Sequence, residues 1–299
     1  MKAVNFKTIL QLVALSALWG ATFPMLRIAS PLLGASVMSM FRILIGAVTL
    51  GLLLRATGGR LPWRDWRELA LLSVLTVAAP FFLFSWAALK LPGGYIALLN
   101  STAVIFGTIA SAWLKEDVLS IRKLLGCVCG FIGVGLIVRL GPVHPTHEVL
   151  MGAGAAILAA MCFGFSLPFM KRAMRRLQPL QIAAPVHAIG LLFLLPTGMS
   201  ELPQSTFTPV AVVIVLVMGA FNSGLAFWLH LRILNRVTPV AAMSPVFLIP
   251  VFGVTWGYLF LDEKFNPGIY AGGALVLLAA ALVTGFNPLR RRTTHHTMP

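Results

Sequence analysis

Arg42 lies in an apolar run, Ala35–Leu54, about seven residues and so roughly 10 Å from its start. A charge at that depth costs roughly 2.5–3.5 kcal/mol on membrane-insertion scales. Two duties would account for it: attracting an anionic group such as a carboxylate, or bonding helix-end carbonyls and headgroups as an anchor. His187 sits at the matching place 145 positions later and carries the same two readings. Asn100 and Asn222 interrupt two further runs, and a mid-membrane amide offers a ligand both donor and acceptor. Each belongs to a stripe of small and polar residues at helical spacing, with Ser101, Gly107 and Thr108 beside the first and Gly219, Ser223 and His230 beside the second. Such stripes either line a hydrated cavity or let two helices pack closely. Phe82, Ser85 and Trp86 share one helical face, while Trp19 and Phe163 offer aromatic surface. A pocket for a bulky apolar molecule needs such walls with a few polar anchors; ordinary core packing is the other account. With Ser244, these residues form the candidate substrate-binding set.

Other chemistry is missing. All eight carboxylates (Asp65, Glu68, Glu116, Asp117, Glu148, Glu201, Asp262, Glu263) fall in loops or at the ends of runs. A carboxylate proton relay within the membrane is therefore not expected, and His187 and His230 are the only groups there that titrate near neutral pH. No Walker A segment supports ATP-driven transport. "GFSLP" lacks the second glycine of an intramembrane serine nucleophile motif, and no aspartate pair lies within a run, so no catalytic residue is assigned. Cys127, Cys129 and Cys162 lie in apolar runs without a metal-ligand pattern, and the paired histidines of "RRRTTHHTMP" end a polar tail. No metal and no cofactor are expected.

The elements that carry these residues follow from composition. Of 299 residues 59% are hydrophobic and 10% charged, with a mean hydropathy of +0.92, whereas soluble domains carry about 25% charged residues. Ten apolar runs of about twenty residues, each able to cross a bilayer core of roughly 30 Å, follow one another with short connections: Thr8–Ile28, Ala35–Leu54, Leu69–Leu89, Gly93–Leu114, Ser120–Val138, Val149–Met170, Leu180–Met199, Thr208–Leu231, Pro239–Leu261 and Pro267–Phe286. The expected fold is an all-α polytopic membrane protein with ten transmembrane helices. With the N-terminus cytoplasmic, 18 of the 23 Lys and Arg residues fall inside and four outside, Arg42 being intramembrane. That is the positive-inside bias, so the net charge of +15 sets topology and does not imply nucleic acid. Membrane lipid and a small-molecule substrate are the expected partners, and a monomer the expected state.

The chain also repeats itself. "WGATFP" (Trp19–Pro24) returns as "FGFSLP" (Phe163–Pro168) 144 positions later, and "WLKEDV" at Trp113 returns as "FLDEKF" at Phe260 147 positions later. The expected domains are residues 5–139 and 149–286, with a basic cytoplasmic tail at 287–299. Each repeat holds five runs, and five is odd, so the second copy enters the membrane inverted. Inverted repeats are a common basis of alternating access. Pro24 and Pro168 each remove a helix hydrogen bond, and Gly20 and Gly164 permit close approach of a neighbour; these four are candidate hinge residues, static packing kinks being the alternative. "GCVCG" (Gly126–Gly130) and "GIYAG" (Gly268–Gly272) are GxxxG segments that brace helices within one chain or join two chains.

Ten runs in two halves, "LWGATFP", an arginine in the second run and "LKED" or "LDEK" closing the fourth and ninth resemble the EamA-type branch of the drug/metabolite transporter superfamily. The resemblance covers essentially the whole chain. It implies a basket-shaped carrier of the bacterial inner membrane with a central cavity, and relatives of this size that export amino acids, some of them aromatic. It also favours a structural role for Arg42, since members with different substrates tend to have it. The function expected is export of small metabolites, foremost neutral or aromatic amino acids, by facilitated diffusion or exchange. Export of other metabolites or drugs (nucleosides, amphipathic amines) and a non-transporting receptor or scaffold are the alternatives. Single-cysteine labelling of intact cells should find both termini on one side and the connection at 140–148 on the other.

Overall fold

The computed structural model describes residues 6–91, 93–138, 146–261 and 268–284, and all regular structure among them is helical. The closing "LDEK" of the ninth run and the tail at 287–299 lie outside the described residues. The first run is a rod of two pieces, α1 (Phe6–Gly20) and α2 (Thr22–Leu33), broken at Ala21. Pro24 has no N–H for the carbonyl of Gly20, so the break falls where the helix has lost a bond. The second copy of the hexamer behaves differently: α9 (His147–Ala173) runs unbroken through Pro168. The hydroxyls differ as well. Ser166 donates to the carbonyl of Phe163 at 2.6 Å and stitches the turn, whereas the equivalent Thr22 faces away and accepts from Asn222.

Gly34, at φ +81°, joins α2 directly to α3 (Ala35–Ala56), a conformation that costs a side-chain-bearing residue. The third run is α4 (Trp66–Ser73), a π segment at Val74–Ala78 and α5 (Ala79–Ala87). Pro80, near the start of α5, cannot donate back to Thr76, and the widened turn absorbs the loss. The fourth run is α6 (Gly93–Ser101) and α7 (Ala103–Trp113), and the fifth is α8 (Ile121–Val138). After α9 come α10 (Pro179–Glu201), then α11 (Pro209–Val217), a second π segment at Met218–Leu225 and α12 (Ala226–Leu234). The two π segments begin 144 positions apart, the offset of the hexamers. The short α13 (Pro239–Ala242), α14 (Pro245–Leu261) and α15 (Gly268–Thr284) complete the chain.

Among the described residues, seven continuous stretches are long and apolar enough to cross a membrane: Thr8–Leu33, Ala35–Ala56, Trp63–Ala87, Tyr95–Trp113, His147–Ala173, Pro179–Gln204 and Pro209–Leu234. The protein is thus a multi-pass membrane protein. The remaining expected spans are shorter: α8 has 18 residues, and α14 and α15 have 17 each. The ninth run, expected as one helix, is divided at Met243 and Ser244 between α13 and α14.

The closest packing crosses between the first and second halves of the chain. The major pairs are α3 with α10, α8 with α15, α7 with α9 and α1 with α14. Glycines set two of these crossings. A Cβ on Gly20 would meet Phe252 Cβ at 2.6 Å and Gly253 N at 3.1 Å on α14. A Cβ on Gly164 would meet Ala103 O at 2.6 Å and Gly107 N at 2.8 Å on α7. Backbone is met by backbone, as small-residue seams in membranes allow. The GxxxG of the fifth run works within the chain: Gly126 abuts Val283 and Ala279 of α15, and Gly130 abuts the Phe247 ring. Leu52, Ile109, Val213 and Leu277 point outward and are more than half exposed, as lipid-facing side chains are.

Gly164→Leu should therefore overpack the seam and lower thermal stability in detergent by about 1–3 kcal/mol. Gly154→Leu, on the same helix with nothing within 4 Å of its Cβ position, should leave it unchanged; tryptophan-fluorescence melting reads both.

Candidate functional site

Arg42, on the second turn of α3, is 3% exposed although it is charged. Its Nε donates to Ser223 Oγ at 2.7 Å, and its guanidinium carbon lies 3.8 Å from the centre of the Phe81 ring. No described carboxylate pairs with it. It lines a central cavity together with Trp19, Asn100, Phe163 and Asn222. Thr22 and Phe23 of α2, Phe81 and Phe84 of α5, Phe227 of α12 and Ile249 of α14 complete most of its wall.

Asn222 is the second anchor. It lies inside the π segment, whose backbone bonds span five residues, as from Ala226 N–H to Phe221 O. Trp19 Nε1 donates to its carbonyl at 3.1 Å, and its own Nδ2 donates to Thr22 Oγ1 at 2.9 Å. Trp19 meets Phe163 edge to face, with ring centres 6.0 Å apart, so the residues that head the two hexamers touch one another. His230 packs on both, at 5.1 Å and 5.9 Å, fully buried and with no hydrogen-bond partner on either ring nitrogen. The cavity encloses about 70 Å³. That holds two or three waters at roughly 30 Å³ each and is well below the roughly 300 Å³ at which ligand pockets begin.

Ion pairs cluster at the face where α7 and α9 end. Arg172 and Arg175 both bond Glu116, at 3.0 Å and 2.8 Å, and leave its side chain 6% exposed. Arg176 bridges Asp65 at 2.7 Å and also pairs with Glu68, and Lys123 pairs with buried Asp117. Lys171 donates to the carbonyls of Leu234 and Val237, at 2.5 Å and 2.8 Å, at the end of α12. Arg27, 144 positions earlier, donates to Ala88 O at 3.0 Å at the end of α5.

Of the candidates, the structure brings Trp19, Arg42, Asn100, Phe163 and Asn222 to one cavity. His187 is fully buried behind it, its Nδ1 3.0 Å from Ala183 O and its ring against Phe227 and Phe81. Phe82, Ser85 and Trp86 do not line it: Ser85 pairs instead with Ser39 at 2.9 Å, so the polar face of this helix is a seam with α3. The π segment just upstream inserts a residue and rotates the rest of the helix, so Phe81 and Phe84 face the cavity in their place. Ser244 is buried at the break before α14, away from the lining. Gly20 and Gly164 lie in helix contacts, Pro168 is buried within α9, and Pro24 borders a separate apolar groove with Phe221 and Trp256. Phe81, Phe84 and Phe227 as walls have no sequence signal beyond being aromatic within a run; His230 stands out in the sequence as a titratable member of a polar stripe, but its stacking on Trp19 and Phe163 has no signal there.

A single family description, the EamA-like transporter family, matches the chain twice, over residues 6–139 and 150–285. The chain belongs to that family. The resemblance drawn from the hexamers is thereby borne out. The EamA-like chain is 23% identical over 290 residues to the uncharacterized transporter YoaV of Bacillus subtilis, covering 96% of this chain and 99% of that one. It is 24% identical over 288 residues to a probable terminal-alkyne amino-acid exporter of Streptantibioticus cattleyicolor, covering 96% of each. Protein PecM of Dickeya dadantii is 27% identical, over 92% of this chain and 91% of its own. A solved crystal structure superposes with a TM-score of 0.77 at 17% identity, covering 93% of this chain and 98% of that chain, which shows the shared fold. The family is one of transporters and not of enzymes, as the lack of a catalytic motif led one to expect.

Trp19→Phe keeps the aromatic contact with Phe163 but orphans the Asn222 carbonyl, so the EamA-like protein should lose about 1–3 kcal/mol. Trp19→Ala should cost about 3–5 kcal/mol. Thermal melts of the two variants in the same detergent check the order.

Proposed function

We propose that this protein is a carrier of the bacterial inner membrane that exports small metabolites, foremost neutral and aromatic amino acids, by alternating access. The reading is carried by the meeting of Trp19 and Phe163, equivalent residues of the two hexamers, at the wall of one central cavity. Two five-helix halves, residues 5–139 and 149–286, related by inversion, would put repeated elements on a common axis in this way. The pairing of helices supports it: α1 on α14 and α9 on α7 are equivalent crossings, each held by a glycine at the same place in its hexamer. So do the two π segments and the matched bonds of Arg27 and Lys171 to helix-end carbonyls. On this reading α8, α14 and α15 are the remaining spans, ten in all, with both termini cytoplasmic and the tail at 287–299 inside.

The substrate class draws support from the cavity wall, aromatic with two asparagines and an arginine, and from the relative named as a probable amino-acid exporter. Coupling is facilitative or by exchange, since no carboxylate lines the cavity. The face with the Glu116–Arg172–Arg175 cluster is then cytoplasmic, and its ion pairs hold that side shut. Gly20, Pro24, Gly164 and Pro168 flank the crossings about which the helices rock.

Proteoliposomes preloaded with phenylalanine should take up labelled phenylalanine by counterflow, and an imposed proton gradient without a substrate gradient should drive none. Steep proton-driven uptake would refute the coupling, and absence of counterflow across a panel of neutral amino acids would refute the substrate. Glu116→Gln should raise the labelling of cysteines placed on the inner side of the cavity by up to about fivefold for each pair it weakens, since pairs of this kind are worth roughly 1 kcal/mol or less.

A further inference from the structure

The central cavity holds a positive charge and no negative one. Arg42 is 3% exposed, and its partners use only part of what it can do: Ser223 takes Nε, and Phe81 covers one face of the guanidinium. The Nη1 and Nη2 groups, with four of the five N–H donors of the side chain, make no hydrogen bond to a described residue. All the carboxylates among the described residues (Asp65, Glu68, Glu116, Asp117, Glu148, Glu201) lie outside the cavity wall. The other polar side chains of the wall, Thr22, Asn100 and Asn222, are neutral, and the Asn222 amide is already donating to Thr22. A guanidinium held at a largely apolar wall without a counter-ion is left uncompensated until one arrives. Its planar fork of donors fits a carboxylate by two parallel bonds.

A zwitterionic amino acid presents two charges to this wall, and only one of them finds a complement. Its ammonium meets aromatic faces and neutral amides, and stands in a field set by Arg42. We propose that the site recognises an apolar carboxylate as such, through Arg42, and that the α-amino group contributes nothing to recognition. The substrates would then be aromatic or branched monocarboxylates, with 2-hydroxy and 2-oxo acids taken at least as well as the amino acids of the same side chain, and the corresponding amines refused. This rests on the carrier reading above and narrows it to the anion.

The test uses the full-length protein in lipid nanodiscs with four probes that share one ring: phenylalanine, phenyllactate, phenylpyruvate and phenethylamine. Binding is read by thermal shift and by competition against labelled phenyllactate, and transport by counterflow in proteoliposomes. Phenyllactate and phenylpyruvate are expected to bind at least as tightly as phenylalanine, and phenethylamine at least about tenfold more weakly, the factor expected from about 1.4 kcal/mol. Phenethylamine binding within that factor of phenylalanine, or phenyllactate binding tenfold more weakly than phenylalanine, would overturn the assignment. Arg42→Gln is expected to abolish phenyllactate binding and Arg42→Lys to keep part of it. Because either variant could fail to fold, the wild-type series decides by itself. The two readings part cleanly. Counterflow of phenylalanine without the hydroxy acid leaves the amino-acid carrier standing and removes the anion rule. Counterflow of the hydroxy acid without phenylalanine does the reverse, and binding of none of the four removes both.

Discussion

Water does not reach a backbone carbonyl in the middle of a bilayer, so every departure from α-helical geometry there needs a partner from within the protein. This chain departs often. It has two π segments and breaks at Ala21, Thr102 and Met243–Ser244, and it supplies partners at many of the irregular turns. Trp19 serves the carbonyl of Asn222, Ser39 that of Phe81, and Trp256 that of Ala17. Thr76 bonds back to Leu72 beside the first π segment. Lys171 and Arg27 bond the last carbonyls of the third and eighth runs. All but the Thr76 bond join distant parts of the chain. The residues that look like ligand contacts from their chemistry are in several cases already committed to backbone.

That commitment separates Arg42 from its neighbours. Ser223 and Phe81 hold the guanidinium in place, but neither neutralises it. The opposite arrangement holds at the face where α7 and α9 end: Glu116, with two arginines upon it, is buried by its own counter-ions. Charge is balanced at the rim and left unbalanced at the centre, which is the distribution a site for an anion requires.

Much of this was legible in the sequence, and the reasons are physical. Apolar runs, the charge bias and the doubled hexamer are properties of composition and spacing, and they point to the membrane, the family and the five residues that share the cavity. The face presented by a helix is a different matter. One inserted residue at Val74–Ala78 turns everything after it, so Phe81 and Phe84 reach the cavity while Ser85 reaches Ser39. No local pattern in "PFFLFSW" states that. Likewise nothing in the hexamers tells that Ser166 bonds within its own turn while Thr22 turns to Asn222, or that one helix breaks and the other does not.

The glycine seams carry a consequence for how such a chain could have arisen. Gly20 joins α1 to α14, and Gly164 joins α9 to α7, so each half fastens its leading helix to the other half rather than to itself. A chain severed at the 139–146 connection would leave each piece with a glycine seam that the other piece covers. Were the two halves the inverted copies proposed above, a single ancestral segment would have needed a second, oppositely inserted copy to cover the same seams.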